Sequence, residues 1–539
     1  MYIFSSVEST NKTTSRSIRQ TQNIFLGALH EIFKTMDNLI IILALILIFV
    51  YLIKRWFLSS YTGYWTKLGI ISIKNKVSLF DLLTGKKSNN DGDMQHYTAL
   101  GQERYGGLME FGIPLLLVKD LSLARTIFIK DFHHFSERRD VPNSSDTLIT
   151  DSLFFMRGQS WKNMRTFLSP GFTSGMVRKK FPHFARSATN LQNWMNTHQK
   201  TSSGEYEIPV SDAMRKYAVE VIGAAAFGLN LNIFSDKNSK FLEMADRIEN
   251  INVWQKFKFA IFQTFPRFAD LFKISPLDSD MSKYFRNVLA SAIEARELSS
   301  CGEKDFLQLL VDLKTGTGKI EVQAKQGDHK SREDLAVSQA CLFLIAGFDT
   351  VANNLMVSTY MLATYPELQQ KVREEVDRIC GESEICYDHI NEMGFLDNFI
   401  AETLRLYPGV PRLERKCVLD YPIPNSTHVI PKGTIVIVVA ESVHKDAQYW
   451  TNPLRFDPDR FNLENKAIQN NNAYMPFGIG PRNCIGIKFA LVETKLALAT
   501  LVKHYEISGT ETTQDYVPVK DLFGYKTHPD LKLRFKPRK

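Results

Sequence analysis

Ten residues near the C-terminal end of this chain constrain it more than any other stretch: Phe477-Gly478-Ile479-Gly480-Pro481-Arg482-Asn483-Cys484-Ile485-Gly486. A cysteine sits between glycines, with an arginine two residues before it and an aromatic seven before it. That setting suits a thiolate bound to iron, because a coordinating thiol is deprotonated outright. Backbone N–H groups must then point at the sulfur, which only a tight, glycine-containing turn allows. Gly480 and Gly486 are expected to supply that freedom. Arg482 offers a fixed cationic fork for a carboxylate, and Phe477 would cover the sulfur and keep water out. A buried structural cysteine is the plainer reading of a lone Cys, but it leaves the other four specified positions unexplained. A phosphate loop is excluded. The GxGxxG fingerprint starts at Gly478 and Gly480 but meets Asn483 at its third glycine.

This stretch resembles the haem-binding loop of the cytochrome P450 family, whose pattern is matched by Phe477, Gly480, Arg482, Cys484 and Gly486. Three further signatures precede it in the family's order. Trp161 and Arg165 are spaced i, i+4 on one helix face, and in the family such a pair binds a haem propionate. Ala346-Gly347-Phe348-Asp349-Thr350 interrupts a long apolar helix expected over Leu335–Ala363 and ended by Pro366. An acid and a hydroxyl there are costly unless used, and Gly347 costs about 1 kcal/mol of helix stability against alanine. Thr350 bonding back to the carbonyl four residues earlier, with a kink, is the plainer account. The resemblance implies a groove for oxygen at that kink, with Asp349 and Thr350 delivering protons. Glu402 and Arg405, at i, i+3, form an ion pair of a kind that is worth little on a surface. The resemblance adds Arg460, in Phe456-Asp-Pro-Asp-Arg460-Phe461, to make a buried structural triad. It also assigns Arg138, Arg415 and Arg482 to the propionates, Cys484 to the iron, and Ile345, Ala346, Gly409, Val410 and Pro411 to the substrate pocket.

The N-terminal part reads differently. Residues 1–38 are polar, and Leu39–Ile53 is an unbroken apolar run. At about 1.5 Å per residue the run falls somewhat short of a ~30 Å bilayer core. Trp56, Phe57 and Leu58 extend it if Lys54 and Arg55 snorkel. It starts far from the N-terminus and no clear small-x-small site follows, so it reads as a transmembrane anchor over 39–58 rather than a cleaved signal. Lys54, Arg55, Lys67, Lys74 and Lys76 follow it, which places the body in the cytosol and the N-terminus in the lumen; the resemblance implies that the membrane is that of the endoplasmic reticulum. Met36, just before the run, is an alternative start. The connector Ser59–Val77 has no proline, where the family's is usually proline-rich.

No linker or low-complexity block divides the rest, so 59–539 is expected to be one catalytic domain. The net charge of +8, from 66 basic and 58 acidic residues, is mild for this length and speaks against nucleic acid. Six cysteines without zinc spacing suit a reducing compartment. Leu115–Val118 is expected to be a strand, Asp120 an N-cap, and Leu121–Ile129 a helix. Thr434–Val439 is expected to be a strand and Ile485–Val502 a buried helix. Lys314–Lys319 lacks two residues of a nucleotide loop and reads as a solvated turn. The aromatics from Trp254 to Phe272 are interleaved with Lys256, Lys258, Arg267 and Lys273 and broken by Pro266. By resemblance this region lies over the substrate entrance and dips into the membrane.

The resemblance covers roughly residues 60–539. It is nearest to the microsomal branch of vertebrate drug- and steroid-oxidising and insect detoxifying enzymes. It implies a mainly helical fold with small β-sheets, haem b between two long helices, and one transmembrane helix in front. The implied reaction is monooxygenation of a lipophilic substrate (a xenobiotic, steroid or other lipid) with NADPH electrons delivered by a reductase, and with cytochrome b5 as a further donor. The alternatives are a haem-thiolate isomerase or dehydratase acting on peroxides, and a membrane haem carrier or sensor.

Overall fold

A computed structural model describes residues 63–538, except 75–80, 82–88, 111, 143–146, 237, 250–251, 300–304, 318–328, 463, 465–472, 514–518 and 522–523. The anchor expected at 39–58 and the polar segment before it lie outside the described residues. The chain divides into two compact units, Met1–Lys67 and Leu68–Lys539, and every element that follows belongs to the second.

Helix α1, Asn89–Ala99, precedes the hairpin of β1 (Tyr105–Glu110) and β2 (Ile113–Val118). The apolar run Leu115–Val118 is fully buried within β2. Asp120 caps helix α2, Leu121–Arg125, by accepting the Leu123 N–H at 2.7 Å, which satisfies one of the unpaired donors of a helix start. The helix expected to reach Ile129 changes type at Thr126, and Thr126–Lys130 is a π turn. Helices α3 (Gly158–Leu168) and α4 (Ser174–Asn196) follow, then strand β3 (Tyr206–Pro209) and α5 (Val210–Phe227). Small and branched apolar residues cover nearly every face of α5, so it is buried all round. The aromatic stretch forms two short helices, α6 (Val253–Thr264) and α7 (Pro266–Leu271). Pro266 is tolerated at the first position of α7 because its missing N–H is unneeded there. Trp254, Phe265, Phe268, Leu271 and Phe272 are exposed.

Helix α8, Phe306–Thr315, ends at Gly316 in the left-handed region. Lys314 and Thr315 are therefore the last turn of a helix rather than part of a loop. Helix α9 runs from His329 to Thr364, starting earlier than the apolar run suggested. Pro366 ends it and opens α10 (Pro366–Cys380). Next come α11 (Gly394–Leu406), β4 (Leu413–Lys416), β5 (Ile435–Val438), α12 (Ala440–His444), α13 (Ile487–His504), β6 (Tyr505–Gly509) and β7 (Lys532–Pro537). One sheet has the order β1-β2-β5-β4. In it β5 runs parallel to β2, with Leu116 opposite Val436, and antiparallel to β4, with Arg415 opposite Val436. A second sheet joins β3, β7 and β6.

Helix α9 is the axis of the core and packs along α5, α8 and α13. Its segment Arg332–Thr364 is long and apolar enough to cross a membrane, but it is mostly buried inside the protein. Its apolarity is that of a core helix. Gly347 is where α5 comes closest: a Cβ there would stand 2.6 Å from the Ile222 Cδ1. The glycine thus trades helix propensity for a close helix–helix approach.

A buried ion set holds α11 to the segment after α12. Arg405 donates to Glu402 through Nε at 2.6 Å and through a terminal nitrogen at 2.9 Å, and Arg460 Nε donates to the same carboxylate at 3.2 Å. Arg405 also donates to the carbonyls of His444 and Pro453, and Arg460 to that of Thr451. One carboxylate serves both guanidiniums, and their remaining donors are turned onto carbonyls, as burial of such a set requires. Arg405→Ala would strand Glu402 without its main partner, at a cost of about 3–5 kcal/mol. The expected outcome is little folded, haem-loaded protein on expression. A soluble, haem-loaded Arg405→Ala variant would contradict this role.

Candidate active site

The cysteine loop is held from three sides. Gly478 and Gly480 take φ of 74° and 75°, a left-handed region that glycine enters freely. Gly486 does not use that freedom. Its φ is −91°, and it stands at the start of α13 with its N–H directed to the Cys484 sulfur. Gly480 is also pressed on the π turn, where a Cβ would lie 2.1 Å from the Phe128 carbonyl oxygen. The loop folds back through Cys484 N–H to the Phe477 carbonyl at 2.9 Å and Asn483 N–H to the Gly480 carbonyl at 3.0 Å. Cys484 is exposed by surface area yet deep among protein atoms, as a side chain facing an internal space would be. Burial raises its thiol, while the Gly486 N–H and the Arg165 charge favour the thiolate.

His444 ties this loop to the buried ion set, and nothing in the sequence pattern singled it out. Its Nε2 accepts the Met475 N–H at 2.9 Å, so that nitrogen carries no proton. Its Nδ1 therefore donates to the Arg405 carbonyl at 3.1 Å. Burial and the neighbouring Arg405 charge hold the imidazole neutral, with its pKa pushed down to about 3.

The cationic residues divide their work. Arg165 spends its fork on Asn483, donating to the backbone oxygen at 3.0 Å and the side-chain oxygen at 3.1 Å. Arg482, expected at a carboxylate, donates to the carbonyls of Ser136, Phe154 and Met156 and stacks on the Trp161 ring at 4.2 Å. Arg138 lies over the Phe154 ring at 3.8 Å, and Arg415 donates to the Glu414 carbonyl. The Nε atoms of Arg138 and Arg415 are buried without a hydrogen-bond partner. Arg138, Arg415 and Arg482 have no bonded carboxylate among the described residues. Burial pushes Arg482 down to about 9, and the Arg138 charge adds to the effect. For Arg415, burial acts first and then Arg138 and Arg482, all lowering it. Three buried guanidiniums that repel one another call for an anion. The propionates of haem are such a group, so the residues present fit haem.

On α9, Ala346 and Thr350 are exposed although the helix lies in the core, so an open strip runs along one face. Ile345 and Gly409 are half-buried, Val410 is exposed and Pro411 is buried. The Thr350 hydroxyl donates to the Ala346 carbonyl at 2.8 Å, the back-bond weighed above. Asp349 is buried and accepts from Asn353 at 3.3 Å. Sequence reasoning passed over Glu493 on α13, which is fully buried with neither carboxylate oxygen bonded among the described residues, and whose carboxyl burial pushes well above the usual range. Its signal in the sequence is slight: a lone acid on a helix apolar on most faces.

The chain belongs to the cytochrome P450 family, whose model matches residues 82–530. Members are haem-thiolate monooxygenases that bind haem b through a cysteine thiolate and draw electrons from a redox partner. Among its relatives is cytochrome P450 6k1 of Blattella germanica, 31% identical over 88% of this chain and 92% of its own length. Cytochrome P450 9e2 of the same insect is 30% identical over 89% and 93%. Probable cytochrome P450 6d4 of Drosophila melanogaster is 32% identical over 75% and 81%. The insect detoxifying branch fits.

Gly480→Ala tests the loop's seating. Its φ would cost about 1–3 kcal/mol by itself, and the Phe128 carbonyl would have to move. The variant should retain much less haem than wild type, as read from the ratio of haem to protein absorbance. Wild-type haem content would show that the π turn does not seat the loop.

Proposed function

We propose that this chain is a membrane-anchored monooxygenase with Cys484 as the axial thiolate, which oxidises lipophilic substrates with NADPH electrons passed by a reductase. The observation that carries this is the unmatched arginine cluster beside a cysteine loop whose N–H groups and Arg165 favour a thiolate. Bound haem supplies the reducible iron at which dioxygen is split between water and substrate. The chain's own residues do the rest. Arg138, Arg415 and Arg482 hold the propionates, with Trp161 as the platform under Arg482 and Arg165 fixing Asn483. Phe477 shields the sulfur. Ile345, Ala346, Gly409, Val410 and Pro411 line the substrate pocket. The Thr350 hydroxyl moves a proton into the open strip, and Asp349 and Asn353 relay to it. Glu402, Arg405 and Arg460 are structural.

The exposed aromatics and interleaved lysines of α6 and α7 suit a lipid surface. With the anchor read at 39–58 they support an endoplasmic reticulum location and a cytosolic catalytic domain. Cytochrome b5 is a further electron donor in this reading. An isomerase or dehydratase needs no proton path to oxygen, and Asp349 with Thr350 speaks against it. A carrier or sensor would use no NADPH.

Two experiments test the proposal. Cys484→Ala should abolish the thiolate-type Soret band of the ferrous carbon monoxide complex, and a retained band would refute the ligand assignment. Thr350→Ala should keep the haem spectrum and substrate binding but release more hydrogen peroxide per NADPH. Its product yield should fall within the 10²–10⁴-fold typical of lost proton-transfer help. Wild-type coupling would reduce Thr350 to its back-bond.

A further inference from the structure

Behind the propionate-facing arginines lies a second charged layer. Glu137 bridges Lys416 in antiparallel fashion. Counting on from that bridge sets Arg138 opposite Arg415 and Arg139 opposite Glu414. Side chains alternate along an extended strand, so Arg138 and Arg415 face one way and Arg139 and Glu414 the other. On that other side Arg139 donates to Glu414 at 2.9 and 3.0 Å and to Glu110 at 2.7 Å. Arg412 donates to Glu110 at 2.8 Å, to Glu414 at 3.2 Å and to Asp93 of α1 at 3.3 Å. The five side chains are nearly enclosed, and Asp93 is buried. Three acids face two arginines, so the cluster is neutral when one acid holds a proton and carries one negative charge when none does.

We propose that this cluster sets the charge that Arg138 and Arg415 present to haem, with Asp93 as its titrating member, so that the midpoint potential of the iron follows the protonation of Asp93. The inference rests on the reading of Arg138 and Arg415 as propionate holders. Burial pushes the Asp93 carboxyl up to about 6 against the pull of Arg412, and Glu110 and Glu414 push with it. Burial would also raise Glu110 and Glu414, but Arg412 and Arg139 outweigh it and keep both ionised. Glu414 supplies the attraction felt by Arg138 and Arg415, so it couples the two layers. Helix α12 packs against α1, and the other titratable groups there are Asp91, His96 and Tyr97 on α1, Glu441 and His444 on α12, and Lys445 just after it. Tyr97 donates to Asp446 at 2.8 Å, Lys445 donates to Glu441 at 2.9 Å, and His444 is held neutral. The sign follows from charge. An ionised Asp93 adds negative potential and favours ferric iron, whereas a protonated Asp93 favours ferrous iron. These five residues are positioning residues, since none touches the reacting atoms.

The test is a spectroelectrochemical titration of the ferric/ferrous couple in the full-length holoprotein, without substrate, from about pH 5 to about pH 8. The wild-type midpoint should rise as pH falls through the Asp93 range. Asp93→Asn should lose that rise and sit at the wild-type low-pH value throughout, and Asp93→Glu should restore a rise. A flat wild-type profile would overturn the inference without any variant. So would a rise that persists in Asp93→Asn, which would leave His96 or the propionates as its source. Haem retention in Arg415→Ala separates the two readings: full retention there would refute the propionate assignment itself, whatever Asp93 does.

Discussion

Arg405 is the group on which most of the site depends. It lies wholly inside the protein, and its donors reach Glu402 and the carbonyls of His444 and Pro453. His444 then passes the constraint to Met475, two residues before the cysteine loop begins. One buried guanidinium thus fixes helix α11, the helix α12 turn and the approach to Cys484 in a single network. A partly satisfied network of this kind is costly in a low-dielectric interior, while a complete one imposes one geometry. The imidazole works as a neutral spacer because its two nitrogens face one donor and one acceptor.

A contrast in charge separates scaffold from site. In the scaffold sets, around Glu402 and around Glu110 and Glu414, every arginine is bonded to a carboxylate. Arg138, Arg415 and Arg482 are bonded to none among the described residues. Their mutual repulsion, with burial, disfavours the charged forms of Arg415 and Arg482. An anion bound there would offset that repulsion and stabilise the fold.

Helix α9 shows how one element serves both ends. Its apolar faces meet α5, α8 and α13, and Gly347 lets Ile222 approach. One face is left open at Ala346 and Thr350. The same length and apolarity that organise the core would mark it as a membrane span on composition alone.

Much of this was legible in the sequence because the responsible signals are local. A cysteine between glycines, an acid and a hydroxyl inside an apolar run, and an i, i+3 ion pair all lie within a few residues of one another. Leu115–Val118, the Asp120 cap and the end of α9 at Pro366 follow from short-range rules for the same reason. What the sequence could not decide was partnership across the chain. Arg482 and Trp161 stack although hundreds of residues apart, Arg165 spends its fork on Asn483, and the left-handed turn falls on Gly478 and Gly480 rather than on Gly486. His444 and Glu493 carry no local mark at all. Only tertiary packing puts one between Arg405 and Met475 and buries the other's carboxylate without a hydrogen-bond partner among the described residues. Strand pairing likewise turns Arg138 and Arg139, adjacent in sequence, toward opposite layers. Composition and spacing determine which groups are present and which helix or strand bears them; burial and long-range contact decide which charges are matched, and therefore which remain for chemistry.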